Sequence, residues 1–132
     1  MRISQINWCA FCVDLNSATA IERLVPPRKL ADLPRFAQSE HFDAREKATL
    51  HYAEAATITG RVVDDALRHE LRAHFDDDAI IELTALIAFQ NLSSKFNAAL
   101  AVPAQGFCKL PATEPSVAAA SDTDGQVHPG VG

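Results

Sequence analysis

The sequence predicts an all-α fold, and three observations predict it. Apolar residues recur at helical spacing through most of the chain before Pro103, aspartate caps and proline or glycine stops punctuate those runs, and no stretch alternates as a strand does. With 132 residues and 48% hydrophobic content the chain fits one domain able to bury a core. We divide it into a helical domain over residues 1–106 and a flexible tail over 107–132, because from residue 112 it is rich in Ala, Ser, Asp, Gly and Pro without periodicity.

Residues 1–6 read as the end of an apolar segment, with Ile3 and Ile6 one turn apart. From Cys9 to about Leu24, residues Phe11, Leu15, Ala18, Ile21 and Leu24 fall on helical spacing, with Asn7 as the expected N-cap and Pro26-Pro27 as the stop. Pro27 suits the first turn of a short helix through Leu33, ended by Pro34, and residues 35–42 form a connector. Asp43 and Glu46 make an aspartate version of the capping box for a helix to about Thr59, stopped by Gly60. Alanines 44, 48, 53, 55 and 56 let a neighbouring helix approach closely. On the same helix His51 and Glu54 lie one turn apart, the spacing of a proton relay and equally of an exposed polar stripe or interface pair.

Val63, Leu67, Leu71 and Phe75 keep an i, i+4 register, so 63–75 is an amphipathic helix with Asp64, Asp65, Arg68, His69 and Arg72 on its wet side. Asp76-Asp77-Asp78 caps the next helix and complements its dipole; an EF-hand loop would need a glycine and further ligands at fixed positions. Residues 79–101 form the longest helix, apolar nearly all round from Ala79 to Phe89. In so short a chain this predicts coverage by a second subunit. Gln90 to Lys95 is a polar insert whose buried amides need partners, in a site or across an interface.

The balance of 12 Lys+Arg against 17 Asp+Glu, with no basic run among aromatics, argues against nucleic acid as a partner. No apolar run approaches the eighteen or so residues of a membrane span, and residues 1–5 have no signal-peptide or transit-peptide character. The expected location is the cytoplasm. There a pair of cysteines three residues apart points to catalysis or metal binding more than to a structural staple.

That pair, Cys9 and Cys12, is the chemical centre of the sequence, and Cys9, Cys12 and Asn16 would share one helical stripe. Side chains at i and i+3 of a regular helix are about 5–6 Å apart at Cβ, whereas a disulfide wants roughly 3.8 Å. The pair can therefore close only in the first turn, where the positive helix end also lowers a thiol's pKa. Other readings are core packing of two cysteines, and half of a zinc site lacking two further ligands at suitable spacing. A thioredoxin motif would sit within a βαβ pattern, which is missing. No metal and no cofactor is expected. Cys108, just ahead of the Ala-, Ser- and Gly-rich stretch that starts at residue 112, reads as incidental.

Ser4-Gln5-Ile6-Asn7 leading into Cys9-Ala10-Phe11-Cys12-Val13-Asp14 resembles the carboxymuconolactone decarboxylase and alkylhydroperoxidase D-like family. Supporting stretches are Phe42 to Glu46, Tyr52 to Ala55, Leu71 to Phe75, and the late helix with Asn91, Lys95 and Val102-Pro103, so the resemblance covers about residues 3–106. It implies an all-helical, alkylhydroperoxidase D-like bundle, here lacking the family's first helices, that assembles as a trimer or hexamer. It also implies a thiol peroxidase or dithiol oxidoreductase. Cys12 would attack a hydroperoxide, Cys9 would resolve it as a disulfide, and a dithiol or lipoyl-type reductant would reopen the bridge.

The sequence departs from the family in three places. The histidine four residues after the second cysteine is Asn16, which takes no proton at pH 7. The family's upstream glutamate would fall before Met1, leaving Glu54, His51 or a neighbouring subunit to assist. The usual glycine ahead of the first cysteine is Trp8, which narrows access. The alternatives are a non-catalytic oligomeric scaffold of the same fold, or the decarboxylase reaction, which does not depend on a CxxC pair.

Overall fold

The computed structural model describes residues 1–109. The chain is all-α: α1 (Arg2–Ile6), α2 (Ala10–Glu22), α3 (Pro27–Ala31), a 3-10 turn (Leu33–Arg35), α4 (Ala44–Thr57), α5 (Asp65–Arg72) and α6 (Asp77–Ala99), with no strand among the described residues. None of these helices is long and apolar enough to cross a membrane.

The caps explain most of the boundaries. Asp43 accepts the Glu46 N–H at 2.8 Å while Glu46 accepts the Asp43 N–H at 3.0 Å, the reciprocal box expected for α4. Asp64 caps α5 through the Leu67 N–H (2.9 Å), and Asp76 caps α6 through the Ala79 N–H (2.8 Å). Each such cap contributes about 1 kcal/mol. Pro27 occupies the first turn of α3 as expected. Pro34 does not end a helix but lies inside the 3-10 turn, where its missing N–H is no loss.

α1 lies against α2, α4 and α6. Fully buried Ala48, with no side chain beyond Cβ, makes room for that packing around a core of Ile3, Tyr52, Ala53, Leu71 and Ile87. Val63, Leu67 and Phe75 pack on this core beside Leu71, but the helix expected over 63–75 is shorter: α5 spans Asp65–Arg72, Asp64 is its cap, and Val63 and Phe75 flank it. A second cluster of Leu30, Leu33, Phe36 and Phe42 closes the α3 end.

α6 is buried on one side only. Ile87 and Ser94 face inward, but Ile81, Phe89, Leu92, Phe96 and Leu100 form an open stripe, each more than 60% exposed. The polar insert is satisfied within the chain: Asn7 Nδ2 donates to Asn91 Oδ1 (2.9 Å) and Ser94 Oγ (2.8 Å), Asn91 to Thr57 (2.9 Å), and Gln90 to Ser4 (3.1 Å). The interface role read for those amides is therefore corrected, because they bind α1 and α4 to α6.

The tail expected over 107–132 lies outside the described residues from 110 onward. Residues 102–109 form an irregular segment with a bend at Gly106, and Phe107 and Cys108 are tied to α2.

Candidate active site

Cys9 and Cys12 are joined as a disulfide, with Cα atoms 5.2 Å apart. Local backbone makes this possible. α1 ends at Ile6, Asn7 is its C-cap, and Trp8 turns the chain with φ +55°. Cys9 then takes the N-cap position of α2 in an extended conformation, outside the helix proper. Its Sγ accepts the Cys12 N–H at 3.1 Å, which is the capping bond itself. The cap is thus Cys9, not Asn7, whose amide is committed to α6. Freed from helical geometry, Cys9 can meet Cys12.

Trp8, where the resemblance leads one to expect glycine, has a left-handed backbone, the conformation that glycine adopts at least cost. Its ring is 89% exposed.

Both cysteines are nearly fully buried, Cys9 at 1% and Cys12 at 3% exposure. They differ in what lies beside them. Cys9 lines a cavity of about 590 Å³ together with Ser4, Trp8, Val13, Asp14 and Cys108. Cys12 is not part of that wall; Asn97 of α6 places its Nδ2 3.7 Å from the Cys12 Sγ. Cys12 is also the third residue of α2, within the positive end of the helix.

Asn16 occupies the stripe predicted for it but is bound to its neighbours. Its Nδ2 donates to Ser4 Oγ (3.0 Å) and Gln90 Oε1 (3.3 Å), so it is a structural amide at the position of the expected base. Glu54 and His51, read as substitutes for the relay, line a different cavity, of about 380 Å³, with Arg2, Arg35 and Arg61. Glu54 is buried between Arg2 (2.6 Å) and Arg61 (3.0 Å), and the His51 ring meets that of Phe36 at a tilt, centroids 4.9 Å apart. Neither side chain hydrogen-bonds to a cysteine; the two arginines compensate the buried carboxylate, which fixes where it lies. A third cavity, of about 520 Å³ between α3 and α4, is apolar and holds none of the predicted residues.

The residue that sequence reasoning missed is Asp14. Its carboxylate is buried and accepts backbone N–H groups of Gln105 (2.8 Å), Phe107 (3.0 Å) and Cys108 (2.8 Å). These bonds, that of Cys108 foremost, outweigh burial and hold its carboxyl below the usual aspartate range. The segment after α6 is thereby latched over α2, with Phe107 edge-on to Phe11 at 6.2 Å. Among the described residues no group of three or more His, Cys, Asp or Glu side chains could hold a metal ion.

Comparison with known proteins places this arrangement. The model of the carboxymuconolactone decarboxylase family matches residues 1–55. The chain is 50% identical over 110 residues to the uncharacterized protein YnjA of Escherichia coli, covering 83% of this chain and 60% of that protein. It is 31% identical over 88 residues to the uncharacterized protein YdfG of Bacillus subtilis, covering 66% of this chain and 60% of that one. The chain thus spans about 60% of the length of these two relatives. The likeness to the carboxymuconolactone decarboxylase family thus lies in residues 1–55, the part of the chain that holds the Cys9–Cys12 pair.

Proposed function

We propose that this chain is a dithiol oxidoreductase whose Cys9–Cys12 pair cycles between disulfide and dithiol, with a hydroperoxide as oxidant and a dithiol or lipoyl-type molecule as reductant. The observation that carries the reading is a closed CxxC disulfide at a helix N-terminus, one of whose cysteines, Cys9, lines a cavity. In the oxidative half, the Cys12 thiolate attacks the O–O bond, becoming a sulfenic acid and releasing an alkoxide that takes a proton. Cys9 then displaces water from that sulfenic acid to close the disulfide. In the reductive half, a thiolate entering the cavity meets Cys9 Sγ, and Cys12 departs as a thiolate. Asn97 and the α2 N-terminus favour that leaving group. A second thiol of the reductant completes the two-electron transfer.

With Asn16 and Glu54 engaged elsewhere, no proton acceptor among the described residues is hydrogen-bonded to either cysteine. Positioned proton transfer is typically worth 10²–10⁴-fold, so the enzyme is slow. Cytoplasmic residence accords with this reading, since a reducing compartment keeps such a pair cycling. The test is consumption of an organic hydroperoxide with a dithiol reductant, followed by sulfenic acid trapping in single variants. Cys9→Ser retains a peroxide-dependent sulfenate at Cys12, and Cys12→Ser does not; the opposite pattern exchanges the two roles. No turnover with both thiols remaining free removes the reading.

The open stripe of α6 favours a second element, a homo-oligomer in which further copies cover Phe89, Leu92 and Phe96. The family resemblance makes this a trimer or hexamer. Light scattering on the wild type and on Phe89→Glu measures it: the reading requires an assembly that the charged variant reduces to monomer.

A further inference from the structure

We propose that Cys108 is a third redox thiol, which exchanges with the Cys9–Cys12 disulfide from the cavity side and moves the bridge to Cys9–Cys108. The inference rests on the dithiol reading of Cys9 and Cys12, but not on a hydroperoxide being the oxidant. Three observations carry it. Cys9 and Cys108 line the same cavity, whereas Cys12 does not. Cys108 is a free, half-buried thiol, so a nucleophile already stands in the space through which the disulfide is approached.

The placement of Cys108 is also built rather than accidental. Asp14 lies on the same helix as Cys12 and takes the Cys108 N–H at 2.8 Å, with those of Gln105 and Phe107 beside it. Gly106, at φ +73°, turns the backbone so that residues on either side of it reach one carboxylate, and it has open space around it. The segment is therefore anchored on α2, the helix that carries Cys12.

The exchange balances without an added reagent. The Cys108 thiol loses its proton, its thiolate attacks Cys9 Sγ, the Cys9–Cys12 bond breaks, and the Cys12 thiolate takes up a proton. One disulfide and one thiol exist before and after. The leaving sulfur is the one at the helix N-terminus beside Asn97, which favours departure from that side. The effect is to replace a bridge between two nearly fully buried cysteines by one that includes the half-buried Cys108, the more accessible sulfur to a reductant.

The geometry makes the prediction asymmetric, and single variants of the full chain test it. Reduced Cys12→Ser treated with one equivalent of 5,5′-dithiobis(2-nitrobenzoate) forms an intramolecular Cys9–Cys108 bridge, releasing two equivalents of thionitrobenzoate, as non-reducing peptide mapping will show. Reduced Cys9→Ser forms the Cys12–Cys108 bridge at least tenfold more slowly. In the oxidised wild type, iodoacetamide under native conditions labels Cys12 as well as Cys108, and this readout holds even if a variant fails to fold. No Cys9–Cys108 bridge in folded Cys12→Ser, equal rates in the two variants, or wild-type label confined to Cys108 overturns the proposal. An absence of hydroperoxide turnover leaves these outcomes untouched and counts against the proposed oxidant alone.

Discussion

Replacing Trp8 by glycine should make the protein more stable and its disulfide easier to reduce, an unusual pairing for a change next to an active site. Trp8 holds φ +55°, a conformation that costs a residue bearing a Cβ about 1–2 kcal/mol. Glycine removes that cost but adds freedom to the unfolded chain, an opposing effect of about 0.5–1 kcal/mol. The indole is 89% exposed, so little burial is lost with it. The net gain is about 0.5–1 kcal/mol, or a rise of roughly 2–4 °C in Tm for a domain of this size. Trp8 also lines the cavity onto which Cys9 faces, so Trp8→Gly should speed reduction of the disulfide by dithiothreitol several-fold. Trp8→Ala separates the two effects, since it clears the cavity but keeps a Cβ at positive φ. It should match glycine in reduction rate without the gain in Tm. Thermal unfolding by circular dichroism and thiol release under excess reductant measure both. A lower Tm for Trp8→Gly than for Trp8→Ala, or reduction rates unchanged in both, would refute the reasoning.

The remaining predictions concern the base, the core and the latch. Asn16→His should raise hydroperoxide turnover about 10–100-fold, because it installs a proton acceptor where the family has one, with the rate rising through a pH near 6.5; a flat pH profile at the wild-type rate counts against it. Leu71→Ala, at a side chain 1% exposed, should lower unfolding free energy by about 2–5 kcal/mol in urea titrations, and a loss below 1 kcal/mol would place Leu71 outside the core. Asp14 has a folded pKa below its unfolded value of 3.8, so its contribution is fully present above that pH and is lost as pH falls through the lowered folded value. Asp14→Asn should therefore be less stable than wild type at pH 7 and lose less of its stability between pH 5 and acid; parallel pH profiles for the two proteins would contradict the latch.

What could be read from the sequence was what is encoded locally. Asp43 with Glu46, and Asp76, announce their helices because a cap bonds within three residues of itself, whereas Asp64, expected on the polar face of its helix, is that helix's cap. The i, i+4 series from Val63 to Phe75 likewise shows its own buried face. The cap of α2 was misplaced because α1 is only five residues long, and nothing local says that Trp8 turns back to put Cys9, rather than Asn7, at the helix start. Polar residues whose partners are far along the chain were harder still. Glu54 is held by Arg2, 52 positions away, and Asp14 by an N–H 94 positions away. For that reason the one-turn spacing of His51 and Glu54 suggests a relay that their distant partners preclude, and nothing local marks Cys108. Asp14 gave one local hint, as a charged residue inside an otherwise apolar helix start.

The central claim is that Cys9 and Cys12 form a working redox couple, and a thiol count after a single oxidation tests it most directly. Fully reduced protein carries three thiols, one for each cysteine. One equivalent of an organic hydroperoxide should consume two of them, with Cys9 linked to Cys12 or Cys108 in the mapped peptides, and a dithiol should restore all three. Three thiols still titrating after the peroxide is added, or a loss that no dithiol reverses, would contradict it.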